Sequence, residues 1–137
     1  MPRFEDIHEG DALPEVRKKP TLQTLVKYSA GGGDFNPLHH DYNFPQSKQI
    51  GSIIVHGRFK YASLGEFVSN WLGHAGHIEK LSCQYRGMDL PDQEFSIKGV
   101  VKKKSSDGGR KVVELDVWTE NAQGKKTTPG SAVVVFP

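Results

Sequence analysis

Two periodicities divide the chain. Between Arg58 and Leu72, the residues Phe59, Ala62, Leu64, Phe67, Val68, Trp71 and Leu72 recur at spacings of three and four, the pattern of a helix with one apolar face. Gly73 and Gly76 predict its end. Downstream, Ile78–Arg86, Glu94–Lys104, Lys111–Thr119 and Lys126–Phe136 read as four extended segments. Their separators carry Pro91-Asp92, Ser106-Asp107-Gly108-Gly109 and Asn121–Gly124, all turn compositions. Imperfect alternation at Val112, Leu115 and Val117 predicts a bulge in the third segment. Short connections predict that the four are antiparallel neighbours. The Arg58–Leu72 helix is the element long enough to cover the apolar face of such a sheet. The fold class is therefore α+β, one long helix followed by an antiparallel sheet.

The first third of the chain is less regular. Gly10, Pro14 and Pro20 punctuate a short extended piece around Ala12–Lys18. Thr21 is placed to cap a helix over Leu22–Ala30, with Leu22, Leu25, Val26 and Tyr28 or Ser29 facing inward. Gly31-Gly32-Gly33 predicts its stop. From Asp34 to Ser52 the sequence is polar and aromatic, and Pro37 and Pro45 allow only short helical turns. Ile53-Ile54-Val55 reads as a brief strand leading to His56-Gly57.

Composition narrows the function. A length of 137 residues suits one domain, residues 1–137. The 18 basic and 16 acidic residues give a net charge of +2, too even for a protein that lives on nucleic-acid phosphates. Lys102-Lys103-Lys104 with Arg110-Lys111 is the one basic concentration, read as a solvated hairpin end in preference to a landing site for a phosphorylated ligand. No apolar run approaches the ~20 residues of a membrane helix. MPRFEDIHEG has no signal-peptide character, and Cys83 stands alone, without a motif that would mark a nucleophile. A cytoplasmic location is expected.

The chemistry concentrates in Gly33–Asp41, G-D-F-N-P-L-H-H-D. Asp34 is a carboxylate just beyond a glycine turn, and His39 follows five residues later, with Asn36-Pro37 favouring a rigid bend between them. A carboxylate beside an imidazole is an acid/base pair able to hold and polarise water. Val55-His56-Gly57 then sets a glycine at the first turn of the long helix. The free N–H groups and positive dipole end there suit a developing oxyanion.

Tyr28-Ser29-Ala30-Gly31-Gly32-Gly33-Asp34-Phe35-Asn36-Pro37-Leu38-His39, with Val55-His56-Gly57 opening a helix, resembles the MaoC-like (R)-specific hydratase/dehydratase family over nearly the whole chain. The resemblance implies a single hot-dog domain, a long central helix wrapped by an antiparallel sheet. It implies catalytic roles for Asp34 and His39, a supporting role for Asn36, and a Gly57 N–H that polarises a thioester carbonyl. The implied reaction is reversible hydration of a trans-2-enoyl thioester to the (R)-3-hydroxyacyl thioester. No cofactor or metal is expected, and coenzyme A or an acyl carrier protein would carry the acyl group. The implied partner is a second hot-dog chain, as homodimer or heterodimer, with no nucleic acid or membrane.

The pattern departs from the family in places. Gly32 replaces a frequent Ser or Thr, and Gly65 stands where relatives often place a Ser near the histidine. Arg58 and Lys60 are charged where many relatives are apolar, so they are candidates for binding substrate phosphates, for a partner chain or for solvent. Tyr42 and Phe44 are candidates to line an acyl channel. Phe59, Phe67 and Trp71 are assigned to the core. Two alternatives stand beside the hydratase. One is a non-catalytic subunit that binds acyl thioesters or completes a partner's site. The other is a metal-dependent small-molecule enzyme drawing on His39, His40, Asp41 and His56, with His74 and His77 in reserve. The spacing lacks H-E-x-x-H or C-x-x-C.

Overall fold

A computed structural model describes all of residues 1–137. Five antiparallel strands form one curled sheet: β1 (Val16–Lys18), β2 (His77–Cys83), β3 (Phe95–Ser105), β4 (Lys111–Asn121) and β5 (Lys126–Phe136). Three α-helices precede or interrupt them: α1 (Leu22–Gly32), α2 (Pro45–Ile50) and α3 (Gly57–Leu72). The helix over Arg58–Leu72 is borne out, beginning one residue earlier.

The strand order is β1-β3-β4-β5-β2. Consecutive antiparallel pairing holds for β3-β4-β5 and fails for β2, which pairs with β5 instead of β3. The β2–β3 connection is the reason. It spans residues 84–94, with a turn only late, at Pro91-Asp92, and is long enough to carry the chain across the sheet. The predicted bulge is also relocated. β4 keeps its alternation through Val113, Leu115, Val117 and Thr119, all buried, while its neighbour β3 takes the extra residue between Val101 and Lys103.

α3 lays Leu64, Phe67, Val68 and Leu72 against Phe95, Ile97, Val101, Val113, Leu115, Val117, Ala132, Val134 and Phe136 of the sheet. Spacings of three and four on the helix meet period two on the strands, which closes one continuous core. Gly99 makes the fit possible, since a Cβ there would stand 3.0 Å from the Phe67 ring. Phe59 and Trp71 are partly buried against this core, as assigned.

A second, smaller cluster of Leu25, Ile53 and Val55 lies at the other end of α3, with Phe59 bridging the two. Thr21 caps α1 through a reciprocal pair with Thr24: the Thr24 N–H donates to Thr21 Oγ1 at 3.2 Å and the Thr21 N–H to Thr24 Oγ1 at 3.1 Å. Leu25 and Ser29, four residues apart, form the buried stripe of α1, whereas Leu22 and Val26 face solvent, contrary to expectation. The glycine stop is also narrower than expected. Gly31 and Gly32 remain helical and only Gly33 turns left-handed, at φ 71°. Ile53–Val55 is extended but joins no strand, because its amides bond to loops on either side. The Lys102–Lys104 run is largely solvated, with Lys104 held over the Phe4 ring and donating to the Ile7 carbonyl. No helix is long and apolar enough to cross a membrane.

Candidate active site

The second cluster carries the polar residues singled out by the sequence. α1 delivers the chain to Asp34. The Asn36 N–H then donates back to Asp34 Oδ1 at 3.3 Å, and Asn36 Oδ1 accepts from the Leu38 N–H at 3.0 Å. These two short-range turns open a 3-10 turn over Pro37–His39, with proline at its first position. The bend places His39 Nε2 3.9 Å from Asp34 Oδ2. His39 Nδ1 donates to the Ile54 carbonyl at 2.8 Å. Since a carbonyl only accepts, that bond puts the proton of a neutral imidazole on Nδ1 and leaves Nε2 with its lone pair facing Asp34. Asn36 thus supports the pair locally, and His40 turns aside to the Phe35 carbonyl at 3.3 Å.

His56, the residue before α3, completes the cluster. Its ring stacks on His39, centroids 3.9 Å apart at 21°, and Tyr28 meets it edge-on at 5.0 Å. His56 Nε2 pairs with Ser29 Oγ at 2.9 Å, and Nδ1 has no partner within hydrogen-bonding geometry. Burial and the neighbouring His39 hold the His56 pKa down to about 4, against the opposing pull of Asp34. His56 is therefore a neutral platform under His39 at ordinary pH. In the sequence His56 figures only as part of the His56-Gly57 motif and as an alternative metal ligand, with no role beside His39. Its signal was a histidine directly after an apolar triplet, where the chain must be buried.

Gly57 is the first residue of α3, and the amides of the first helical turn have no intrahelical acceptor. The Tyr85 ring lies directly over it: a Cβ at position 57 would stand 3.0 Å from the ring carbons. Arg58 is exposed and lines a cleft of about 400 Å³ with Tyr28, Tyr61 and Tyr85. A second cleft, of about 470 Å³, runs along α1 between Tyr28, Lys27, Gly32 and Phe59. Tyr28 lines both, and neither is lined by Asp34 or His39. Tyr42 is exposed and Phe44 half-buried, and neither lines these clefts.

Lys60 does not face ligand. It is 2% exposed, and Nζ donates to Asp89 Oδ2 at 3.0 Å and to the Gly87 carbonyl at 2.9 Å. Its position explains this correction. Lys60, Leu64 and Phe67 share the inward stripe of α3, so the side chain must end in the protein and find a counter-charge there. Cys83 is half-buried, and burial pushes its thiol pKa up, which disfavours the nucleophilic thiolate.

One ligand-competent atom from each of Asp34, His39 and His56 lies within 4.8 Å of the others. The two imidazole planes lie 21° apart, so their in-plane lone pairs run in roughly parallel planes. Each ring also commits a nitrogen, to Ile54 or to Ser29.

The sequence matches the family described as MaoC like domain over residues 3–123. Among curated proteins, it is 32% identical over 73 residues, 52% of this chain, to the fatty acid synthase beta subunit TOXC of Cochliobolus carbonum, and it spans about 4% of that subunit's length. Among solved structures, an (R)-hydratase from A. caviae involved in PHA biosynthesis superposes with a TM-score of 0.87 at 21% identity, covering 97% of this chain and 99% of that one. The ChsH1-ChsH2 complex from Mycobacterium tuberculosis gives a TM-score of 0.80 at 19% identity, covering 95% and 98%. At such identities these structures are alike in fold: the helix wrapped by a curled antiparallel sheet is the hot-dog fold.

Proposed function

Because this chain belongs to the MaoC-like dehydratase family, we propose that it interconverts trans-2-enoyl and (R)-3-hydroxyacyl thioesters. The observation that carries the reading is the geometry of one pair: the Asp34 carboxylate 3.9 Å from the bare Nε2 of a His39 locked through Nδ1 onto Ile54. In the hydration direction the pair holds a water between its two acceptors. The water oxygen adds to C3, the pair takes up one of its protons, and a proton is returned to C2. The electron pair of the double bond moves toward the thioester carbonyl, whose oxygen meets the amides at the start of α3, Gly57 first. The thioester itself acidifies the C2 proton, so the step calls for no metal or redox group. Coenzyme A or an acyl carrier protein serves as carrier.

The partner in this reading is a second hot-dog chain. Support comes from the two larger clefts, neither of which Asp34 or His39 lines, so that neither encloses the pair, and from the exposed Tyr61, Tyr85 and Met88. The two-subunit ChsH1-ChsH2 relative has the same fold. The test is loss of enoyl-thioester absorbance on adding purified protein to crotonyl-CoA and to a longer enoyl-CoA, followed by chiral analysis of the product. An (R)-3-hydroxyacyl product is expected. No turnover with any enoyl thioester, alone or with a second hot-dog chain, would refute the reading in favour of the non-catalytic binding subunit.

A further inference from the structure

Lys60 poses a question that the acid/base pair does not answer. A buried ion pair is seldom a good source of stability, because two charges must leave water, and apolar residues of similar volume often do as well. Here the pair is thoroughly engaged. Asp89 is 5% exposed, and its Oδ2 accepts from Lys60 Nζ at 3.0 Å and from Thr127 Oγ1 at 2.6 Å. Thr127 is in turn paired with Thr119 at 2.8 Å across β4 and β5. The loop bearing Asp89 is thus fixed from α3 and from the sheet at once.

The backbone of the same residue leads back to the site. The Asp89 carbonyl accepts from the Val55 N–H at 2.8 Å. That N–H and the Ile54 carbonyl are the two ends of one peptide group, and the Ile54 carbonyl is what His39 Nδ1 holds at 2.8 Å. A single rigid amide plane therefore connects His39 to Asp89. The preceding peptide is held as well: the Ile54 N–H donates to the Leu38 carbonyl at 3.1 Å, tying the same segment to the His39 turn. Turning the plane would break the His39 and Asp89 bonds together. Accepting at one end of an amide also strengthens donation and acceptance along the chain.

We propose that the buried Lys60–Asp89 pair is a positioning device for His39, acting through the Ile54–Val55 peptide to hold the imidazole in the Nδ1–H tautomer with Nε2 toward Asp34. The importance of that tautomer for turnover rests on the acid/base reading above, but the tautomer itself can be observed without substrate. Neither Lys60 nor Asp89 touches the reacting atoms.

The test compares wild type with Lys60→Met/Asp89→Leu, which removes both charges together so that no uncompensated ion remains. Thr127→Val is the milder second variant and keeps the ion pair. Long-range proton–nitrogen NMR of the histidine rings at pH 8 reads which nitrogen of His39 is protonated, and steady-state kinetics with crotonyl-CoA runs in parallel. Wild type is expected to show one tautomer, with Nε2 bare. The double variant is expected to show both tautomers, with kcat lower by about tenfold and KM within about twofold, since a misplaced group costs rate more than binding. Thr127→Val is expected to shift the same signals by less. An unchanged single tautomer in a folded variant would overturn the proposal, leaving the ion pair a purely structural pin. If wild type turns over no enoyl thioester while its tautomer still depends on Lys60–Asp89, the positioning stands and the hydration reading falls. Should the double variant not fold, the Thr127→Val spectrum decides.

Discussion

Two aspartates each face a basic group, Asp34 the His39 imidazole and Asp89 the Lys60 ammonium of α3, and they are built to opposite specifications. The Asp89 carboxylate is 5% exposed, 3.0 Å from an ammonium, and also bonded to a threonine hydroxyl. The Asp34 side chain is 28% exposed and 3.9 Å from an imidazole nitrogen, a separation too long for a direct hydrogen bond. The first geometry leaves no place for a third molecule at the charge. The second leaves acceptor capacity on both partners and access from solvent. Saturated pairs fix backbone, and unsaturated ones do chemistry. Both kinds stand around one helix terminus here, and the Ile54–Val55 peptide lies between them.

Substitutions should separate the two sharply. Asp89→Ala strands the Lys60 ammonium in the interior, and a loss of about 3–5 kcal/mol in unfolding free energy is expected by urea denaturation. Lys60→Met/Asp89→Leu should recover most of that loss, because the uncompensated charge is gone. A double variant as unstable as Asp89→Ala would mean that the pair itself supplies the stability. Asp34→Asn, by contrast, should alter the unfolding free energy by less than about 1 kcal/mol, since a part-exposed pair contributes little. A loss as large as that of Asp89→Ala would erase the distinction between the two sites.

A smaller effect comes from His56. Its pKa in the folded protein is about 4, below the usual 6.5, so the unfolded chain binds a proton that the folded one refuses. Above pH 6.5 both states are neutral there and stability is undiminished. Between 6.5 and about 4 stability falls as pH falls, by at most one proton's slope. His56→Asn, compared with wild type in pH-dependent denaturation, should lack that component. An identical pH dependence would show that His56 titrates normally.

The sequence made some of this visible and hid the rest for definable reasons. The helix over Arg58–Leu72 and the long strands β3, β4 and β5 were legible because their apolar residues keep a recognisable period over most of each element, bulges aside. The Thr21 cap and the Asp34–Asn36–His39 turn were legible because their interactions lie within a few residues. The placement of β2 beside β5 was not, since pairing across 50 residues leaves no local mark. Lys60 was misread for a similar reason: its partner Asp89 is 29 residues away. A signal did exist in the spacing of Lys60, Leu64 and Phe67, which puts the lysine on the buried stripe. His39's restraint by Ile54 was invisible because any residue's carbonyl would serve. The residues themselves suggested Asp34, His39 and Gly57, the family resemblance gave them roles in one reaction, and the geometry adds what holds His39 and what lies beneath it.

The proposed hydration requires that Asp34 and His39 act as one unit on an enoyl thioester. The most direct test measures kcat/KM for crotonyl-CoA hydration in Asp34→Asn, His39→Gln and the double variant, with folding checked by circular dichroism. Each single change should lower the rate on the order of 100-fold or more, and the double should be scarcely worse than either, as for residues that work together. Wild-type turnover in either folded single variant, or losses that simply multiply in the double, would contradict it.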